Sequence, residues 1–421
     1  MKLAVIGGGS TYTPELADGI GRLLPQVEEL VLVDPDPDRL AVVGPVSARI
    51  MAARDHPAEV RWTGRLDEGA EGADAILFQL RIGGQAARQR DETWPLDCGC
   101  VGQETTGAGG LAKALRTVPV VLDLAERASR RASPSAFIID FTNPVGIVTR
   151  ALLTAGHRAV GLCNVAIGFQ REFAALLDVG PARVSLGHVG LNHLSWERSV
   201  LLDGADVLPE LLGKYADEIA PHTGMPADFI RHLGMVPSYY LRYFYAHDAV
   251  VESLRGATTR AEEVARLEAE LLELYADPAL DTKPPQLAQR GGAFYSEAAV
   301  DLLVSLADDR RDVQVVNMFN RGTLPFLPDD AVIEGPAVIG SGGADPRSAD
   351  PVEPLLRGLI AHVYAYEELA LDAALRGGRD RVYNALLAHP LVGQADQARC
   401  LTDRLIAENA SYLPWAAGGP R

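Results

Sequence analysis

The sequence is poor in cysteine, with Cys98, Cys100, Cys163 and Cys400 its only four in 421 residues. So few thiols in so long a chain make no disulfide framework, and they fit a reducing compartment. Long apolar runs are also missing. No window of 18 residues is both apolar and uncharged, which excludes a membrane-spanning helix. The N-terminus, MKLAVIGGG, lacks the apolar core and small-residue cleavage site of a secretory signal, so a cytoplasmic protein is expected. Positive charge is short: 39 Lys and Arg face 56 Asp and Glu, a net charge of −17. That argues against nucleic acid or anionic membrane as a partner. It does not exclude an anionic small substrate, because an acidic protein can hold a local basic pocket. No internal repeat or low-complexity segment occurs.

What is present is α/β order in the first third. KLAVI (2–6) reads as a buried strand, and Gly7 to Gly9 as a turn. Thr13 offers an N-cap with Pro14 behind it, opening a helix to about Leu24. ELVLVD (29–34), DAILFQL (74–80), AFIIDF (136–141) and AVGLC (159–163) read as the second to fifth strands. Strands alternating with helices predict a doubly wound parallel sheet. Beyond about residue 170 the pattern changes. Residues 184–204 read as paired antiparallel strands, and helices are expected over 260–276, 352–376 and 396–409. Cys400, near Leu401 and Leu405, reads as a core residue. The length suits two domains, or three; we place the boundary at 170/171.

VIGGGSTYTPEL (5–16) puts Gly7 and Gly9 between a strand and a helix N-terminus. Backbone N–H groups there can approach a pyrophosphate, and the helix dipole favours its charge. Asp34 ends the next strand, where an acid bonds an adenosine ribose hydroxyl. The third glycine of the usual fingerprint is absent, with Tyr12 in its place. The alternative is a tight strand–helix turn that binds nothing. Cys163 in GLCNVAIG (161–168) and His193 in GLNHLSW (190–196) form a second constellation. Thiolate and imidazole both suit a borderline or soft divalent metal. Two ligands leave positions open for substrate oxygens, as a catalytic metal requires. The alternative is a small core cysteine and a satisfied core histidine. His188 reads as structural, and Cys98-x-Cys100 is a poor metal signature.

The motifs together carry a family resemblance. VIGGGSTYTPEL, ARQRDE (87–92), VGQETTGAGGLAKALRTVP (101–119), DFTNPVGIVT (140–149), GLCNVAIG, GLNHLSW, PSYYLRYFY (237–245), TRAEEV (259–264), RGGAFYS (290–296) and VNMFNRGTLPFLPDDAVIEGP (316–336) run most of the chain's length. In that order they resemble glycoside hydrolase family 4, and within it the bacterial 6-phospho-β-glucosidases. The resemblance implies an N-terminal Rossmann-like, NAD-binding domain, residues 1–170. It also implies a C-terminal mixed α+β domain of the lactate/malate dehydrogenase type, residues 171–421, for substrate, metal and oligomer contacts. These enzymes depart from the two-carboxylate rule of glycoside hydrolysis. The implied chemistry oxidises carbon 3 with NAD⁺, removes the carbon 2 proton, eliminates the aglycone, adds water and returns the hydride. A divalent metal, typically manganese, acts as a Lewis acid.

By the same resemblance Cys163 and His193 match the metal ligands, and Tyr240 the base. Glu104 matches the acid that raises the tyrosine's basicity. Gly7, Gly9, Ser10, Thr11 and Asp34 match the NAD site, and Arg88, Asn143, Asn164 and Arg260 the substrate contacts. Tyr239 and Tyr243 remain alternatives to Tyr240, and all three could be packing residues. Glu104 could equally bond loop amides, and Arg260 could be a solvated surface arginine. Arg260 has an argument of its own: a cation at a helix start opposes the dipole, and makes better sense beside a bound anion. Asn164 stands where the α-glycoside branch carries aspartate, which favours the β branch. PLDCGC (95–100) departs from the family's lysine- and tyrosine-bearing loop. The partner implied is a small phosphorylated glycoside, with the chain in a homodimer or homotetramer. Alternatives are a 6-phospho-α-glucosidase or α-galacturonidase, a 2-hydroxyacid dehydrogenase, and a nucleotide sensor without catalysis.

Overall fold

Short apolar strands and the helices between them build one sheet in the computed structural model, which describes residues 1–291 and 294–416. Gly292 and Ala293 of the RGGAFYS stretch lie outside the described residues. The strands are β1 (Lys2–Ile6), β2 (Glu29–Val33), β3 (Glu59–Thr63), β4 (Ala75–Phe78), β5 (Phe137–Asp140), β6 (Ala159–Gly161), β7 (Val184–Leu191), β8 (Leu194–Leu202), β9 (Ala205–Asp206), β10 (Val236–Pro237), β11 (Asp312–Phe319), β12 (Val332–Gly340) and β13 (Gly343–Pro346). Six of them pair in parallel in the order β3-β2-β1-β4-β5-β6. That is the order of the doubly wound dinucleotide fold, whose ligands lie beyond the carboxyl ends of the strands. The sheet then turns antiparallel through β11, β12, β7, β8 and β10.

The strands buried on both faces are the ones the apolar runs predict. β4 and β5 are buried at every position. DAILFQL proves to be the fourth strand and not the third. β3, EVRWT, is missed because it lies at the sheet edge with no buried residue. AVGLC ends as a strand at Gly161, so Cys163 lies two residues past it. The first helix spans Thr13–Leu23 with Tyr12, not Thr13, at the N-cap. The Thr13 hydroxyl instead donates to the Gly8 carbonyl at 2.9 Å, tying the helix to the glycine turn. The predicted later helices appear as Arg260–Tyr275, Pro354–Arg376 and Ala395–Asn409. The first of these carries a complete capping box, Thr259 with Glu262. β7 and β8 form the expected antiparallel pair, closed at Leu191 opposite Leu194 by the two-residue loop Asn192–His193. No helix among the described residues is long and apolar enough to cross a membrane.

One cysteine expectation is overturned. Cys98 and Cys400 form a disulfide, with Cα atoms 6.0 Å apart, and Cys400 is half-buried, not a core residue. The two lie 302 residues apart in sequence, and only the packing of the helix Gly84–Asp97 against Ala395–Asn409 brings them together. Cys100 and Cys163 are free and buried. A crosslink over so long a loop constrains the unfolded chain, so its reduction should cost about 2–4 kcal/mol of stability. Thermal melts with and without a phosphine reductant measure this; equal Tm values would show that the bond adds nothing.

Candidate active site

The glycine turn sits at the carboxyl end of β1. The Gly7 and Gly8 N–H groups both donate to the Val33 carbonyl at 2.9 Å. Gly7 has φ 90°, and a Cβ on it would lie 2.7 Å from the Gln79 carbonyl oxygen, so only glycine fits. The Gly9 N–H donates to Asp34 Oδ2 at 3.0 Å, and the Asp36 N–H to Asp34 Oδ1 at 3.0 Å. A Cβ on Gly9 would come within 2.8 Å of Asp34 Cγ. Asp34 therefore stands beside the turn, as expected. The Ser10 hydroxyl accepts from the Tyr12 N–H at 3.2 Å. Thr11 is buried and accepts from Arg290 Nε at 2.7 Å, while its carbonyl accepts from the Tyr275 hydroxyl at 2.8 Å. Glu268 holds Arg290 at 2.8 Å and Gln85 at 3.2 Å. Tyr275 and Glu268 do not stand out in the sequence, and Arg290 does so only as the first residue of RGGAFYS, because their meeting with Thr11 is purely tertiary.

Glu104 lies in the loop before the helix Gly107–Ser129 and is buried. Lys113 Nζ meets it at 2.5 Å and Arg88 at 3.1 Å, and Arg81 completes the set. Burial opposes its charge, yet Arg81, Lys113 and Arg88 hold the carboxyl well below the usual range. Burial also lowers Lys113, to about 7; Glu104 resists this shift and Arg81 adds to it. Three cations around one carboxylate leave this wall of the site electropositive despite the acidic chain. Arg88 also donates to Glu92 at 2.7 Å, and Glu92 accepts the Ala261 N–H at 2.9 Å. Arg88 is thereby tied to the first turn of Arg260–Tyr275. Arg260 itself is exposed and bonds Glu263 at 2.9 Å and the Gln289 carbonyl at 2.7 Å. The structure joins Arg88 to Glu104, whereas Arg260 has partners on the surface.

Tyr240 lies in the short turn Tyr239–Leu241 and stacks on His193, ring centroids 3.6 Å apart and planes 7° from parallel. Its neighbours have other work. Tyr239 is exposed and packs on the Arg242 guanidinium at 4.1 Å, and Tyr243 accepts from Arg242 at 3.3 Å. Burial pushes the Tyr240 phenol well above its ordinary value, with Cys163, Tyr243 and Glu104 adding to the shift and Arg88 opposing it. His193 occupies the hairpin loop at φ 61° and is buried. Burial pushes the imidazole down to about 4, against Glu334 and Glu104, so the ring is neutral at pH 7.

Cys163 is reached through the residue beside His193. Asn192 and Tyr295 hydrogen-bond the thiol, which burial and Glu334 push upward. Asn192 also donates to Glu334 at 2.8 Å, and Asn317 to the same oxygen at 3.1 Å. His188 is structural, as expected: its ring nitrogens meet Glu197 at 2.7 Å and Glu334 at 3.0 Å. Burial would depress it, but the two carboxylates raise it to about 10. Among the described residues no three His, Cys, Asp or Glu converge as a metal cage. Asn143 and Asn164 lie past the ends of β5 and β6, the latter at the N-cap of Val165–Leu176. Asn143 Oδ1 is buried without a hydrogen-bond partner among the described residues. Such an acceptor is costly to leave unpaired.

The sequence profile "Family 4 glycosyl hydrolase" matches residues 2–179, and that of the "Family 4 glycosyl hydrolase C-terminal domain" matches residues 188–392. The chain belongs to glycosyl hydrolase family 4. A Bacillus subtilis (strain 168) family 4 relative named "Probable 6-phospho-beta-glucosidase" is 37% identical, over 98% of this chain and 97% of its own. The solved 6-phospho-beta glucosidase of Thermotoga maritima, with manganese, NAD⁺ and glucose-6-phosphate, is 32% identical with TM-score 0.92, covering 98% of this chain and 99% of its own. Malate dehydrogenase from Salinibacter ruber superposes with TM-score 0.56 at 18% identity, over 90% of this chain and 99% of its own. That likeness shows the fold of this family 4 chain alone, the lactate/malate dehydrogenase architecture expected from the sequence.

Proposed function

We propose that the chain is an NAD- and divalent-metal-dependent 6-phospho-β-glucosidase. The observation that carries this reading is the stack of Tyr240 on His193 beside Cys163, at the carboxyl ends of the parallel strands. The donor set fits a metal, a thiol and a neutral imidazole, and the unpaired Asn143 oxygen is an acceptor for a sugar hydroxyl. Cys163 and His193 would hold the ion, and Gly7, Gly9, Ser10, Thr11 and Asp34 the dinucleotide. When bound, the dinucleotide supplies a reversible hydride store at carbon 3, and manganese or a similar ion supplies Lewis-acid stabilisation of sugar oxygens. Tyr240 takes the proton from carbon 2, and the ionised Glu104 favours proton transfer to the phenolate. Arg88, with Arg81 and Lys113 behind it, would meet the anionic substrate; Arg260 would reach it by giving up Glu263 and the Gln289 carbonyl. Asn143 and Asn164 orient the sugar. Asn164 has no acidic proton for the leaving group, which supports the β anomer over the α. We assign residues 1–170 to the cofactor domain and 171–421 to the substrate domain, and propose a cytoplasmic homodimer or homotetramer.

A panel of nitrophenyl glucosides tests the function, α and β, with and without a 6-phosphate, each given NAD⁺ and Mn²⁺. Release of nitrophenol from the 6-phospho-β compound, with no net NADH, is expected. NADH accumulation from a hydroxy acid without glycoside cleavage would make the protein a dehydrogenase. The cofactor assignment has its own check. In Gly9→Ala the new methyl must displace Asp34, a strain of about 1–3 kcal/mol, so NAD⁺ affinity should fall roughly tenfold or more. Unchanged affinity in a fluorescence titration would move the dinucleotide elsewhere.

A further inference from the structure

Gln103, Glu104 and Thr105 are consecutive, yet their side chains part. Glu104 goes to the cations, while Gln103 and Thr105 go toward His193. Gln103 Oε1 accepts from the Thr105 N–H at 2.5 Å, the Thr106 N–H at 2.7 Å and the Thr105 hydroxyl at 2.9 Å. Two of those donors are backbone amides. Turning the Gln103 amide over would set its NH₂ against them, so the oxygen must face this way. A hydroxyl has one proton, and that of Thr105 goes to Gln103, which can only accept it. Thr105 Oγ1 also lies 2.9 Å from His193 Nδ1. With its proton committed, the threonine oxygen can only accept there, so Nδ1 carries a hydrogen. A neutral imidazole then bears its lone pair on Nε2, and that atom has no hydrogen-bond partner among the described residues.

We propose that Gln103 and Thr105 are positioning residues which lock His193 in its Nδ1–H tautomer and so present Nε2 to the metal. Partners behind a ligand histidine characteristically set ring orientation and tautomer in this way. The ring is held on two further sides: Tyr240 covers one face at 3.6 Å, and Asn192, next to it in the hairpin, is pinned to Glu334 at 2.8 Å. The inference rests on His193 being a metal ligand, the reading given above.

The test measures Mn²⁺ affinity by electron paramagnetic resonance, apart from turnover, in wild type, His193→Ala, Thr105→Val and Thr105→Ser. Valine keeps the shape and deletes the hydroxyl; serine restores it. Thr105→Val should bind Mn²⁺ roughly 10–100-fold more weakly, with NAD⁺ affinity and Tm near wild type, and Thr105→Ser should recover most of the loss. If wild type and His193→Ala bind Mn²⁺ alike, the metal reading itself fails. If His193→Ala loses the metal but Thr105→Val keeps it, the metal reading stands and this inference falls. Nitrogen-15 NMR of histidine-labelled wild type gives an answer even if Thr105→Val does not fold. The His193 signals should be those of the Nδ1–H tautomer, and an Nε2–H signature would overturn the proposal.

Discussion

Tyr240→Phe should lower turnover by about 10²–10⁴-fold, the usual contribution of a general base, and leave NAD⁺ and Mn²⁺ affinity in place. The substitution removes one oxygen and keeps the ring that stacks on His193 at 3.6 Å, so the metal-ligand hairpin keeps its packing. The buried phenol needs positive charge to ionise, and Arg88 supplies part of it. An isotopic readout separates this base from a structural tyrosine. Product formed by the wild type in heavy water should carry deuterium at carbon 2, because that proton leaves and another returns. A two-carboxylate hydrolase never breaks that bond. Hydrogen retained at carbon 2 together with normal turnover in Tyr240→Phe would refute the assignment. The neighbours are poorer bases by geometry, since Tyr239 is exposed on Arg242 and Tyr243 is bonded to it.

Chelation should take activity to the assay floor, and Cys163→Ser should reduce it by roughly 10³-fold, the several kcal/mol of a lost Lewis acid. Serine keeps nearly the volume of cysteine, and its hydroxyl can bond Asn192 and Tyr295 in place of the thiol. The variant should therefore stay folded, and an unchanged Tm checks it. His193→Ala should do at least as much, but it also removes the partner of Tyr240, so Cys163→Ser is the cleaner variant. Restoration by added Mn²⁺ would locate the defect in binding. Full activity and wild-type Mn²⁺ affinity in Cys163→Ser would take the metal away from this cysteine.

The parts of the fold that were legible are those where burial is written into local sequence. KLAVI, ELVLV, AILF and FIID are short apolar runs, and each is a buried inner strand. EVRWT is an edge strand whose outward positions take any residue, so no run marks it. Thr13 looked like a cap because capping chemistry is local, but its hydroxyl found the Gly8 carbonyl across the turn. The Cys98–Cys400 bond depends on two helices meeting over 302 residues of chain, which no spacing encodes. The motifs pointed to Glu104, Cys163, His193 and Tyr240, but not to what surrounds them. Lys113 and Glu334 left a faint signal, the first a charge among the small and apolar residues GAGGLAKAL and the second the one charge in its strand, and burial at that cost requires partners. Arg260 shows the converse. Its place at a helix start and a surface position were both readable, while its bond to Glu263 was not.

The helix Arg260–Tyr275 joins the cluster around Arg88 to the glycine turn. Its first turn is anchored on Glu92, the acid that also grips Arg88. About 10 Å further along its axis, Glu268 grips Arg290, which rests on Thr11 of the glycine turn. A straight helix does not yield at one end alone. The helix therefore links the residues around Arg88 to Thr11 through Ala261, Glu268 and Arg290. If substrate and dinucleotide bind as proposed, beside Arg88 and beside Thr11, any factor that one applies to the other's affinity is returned in equal measure.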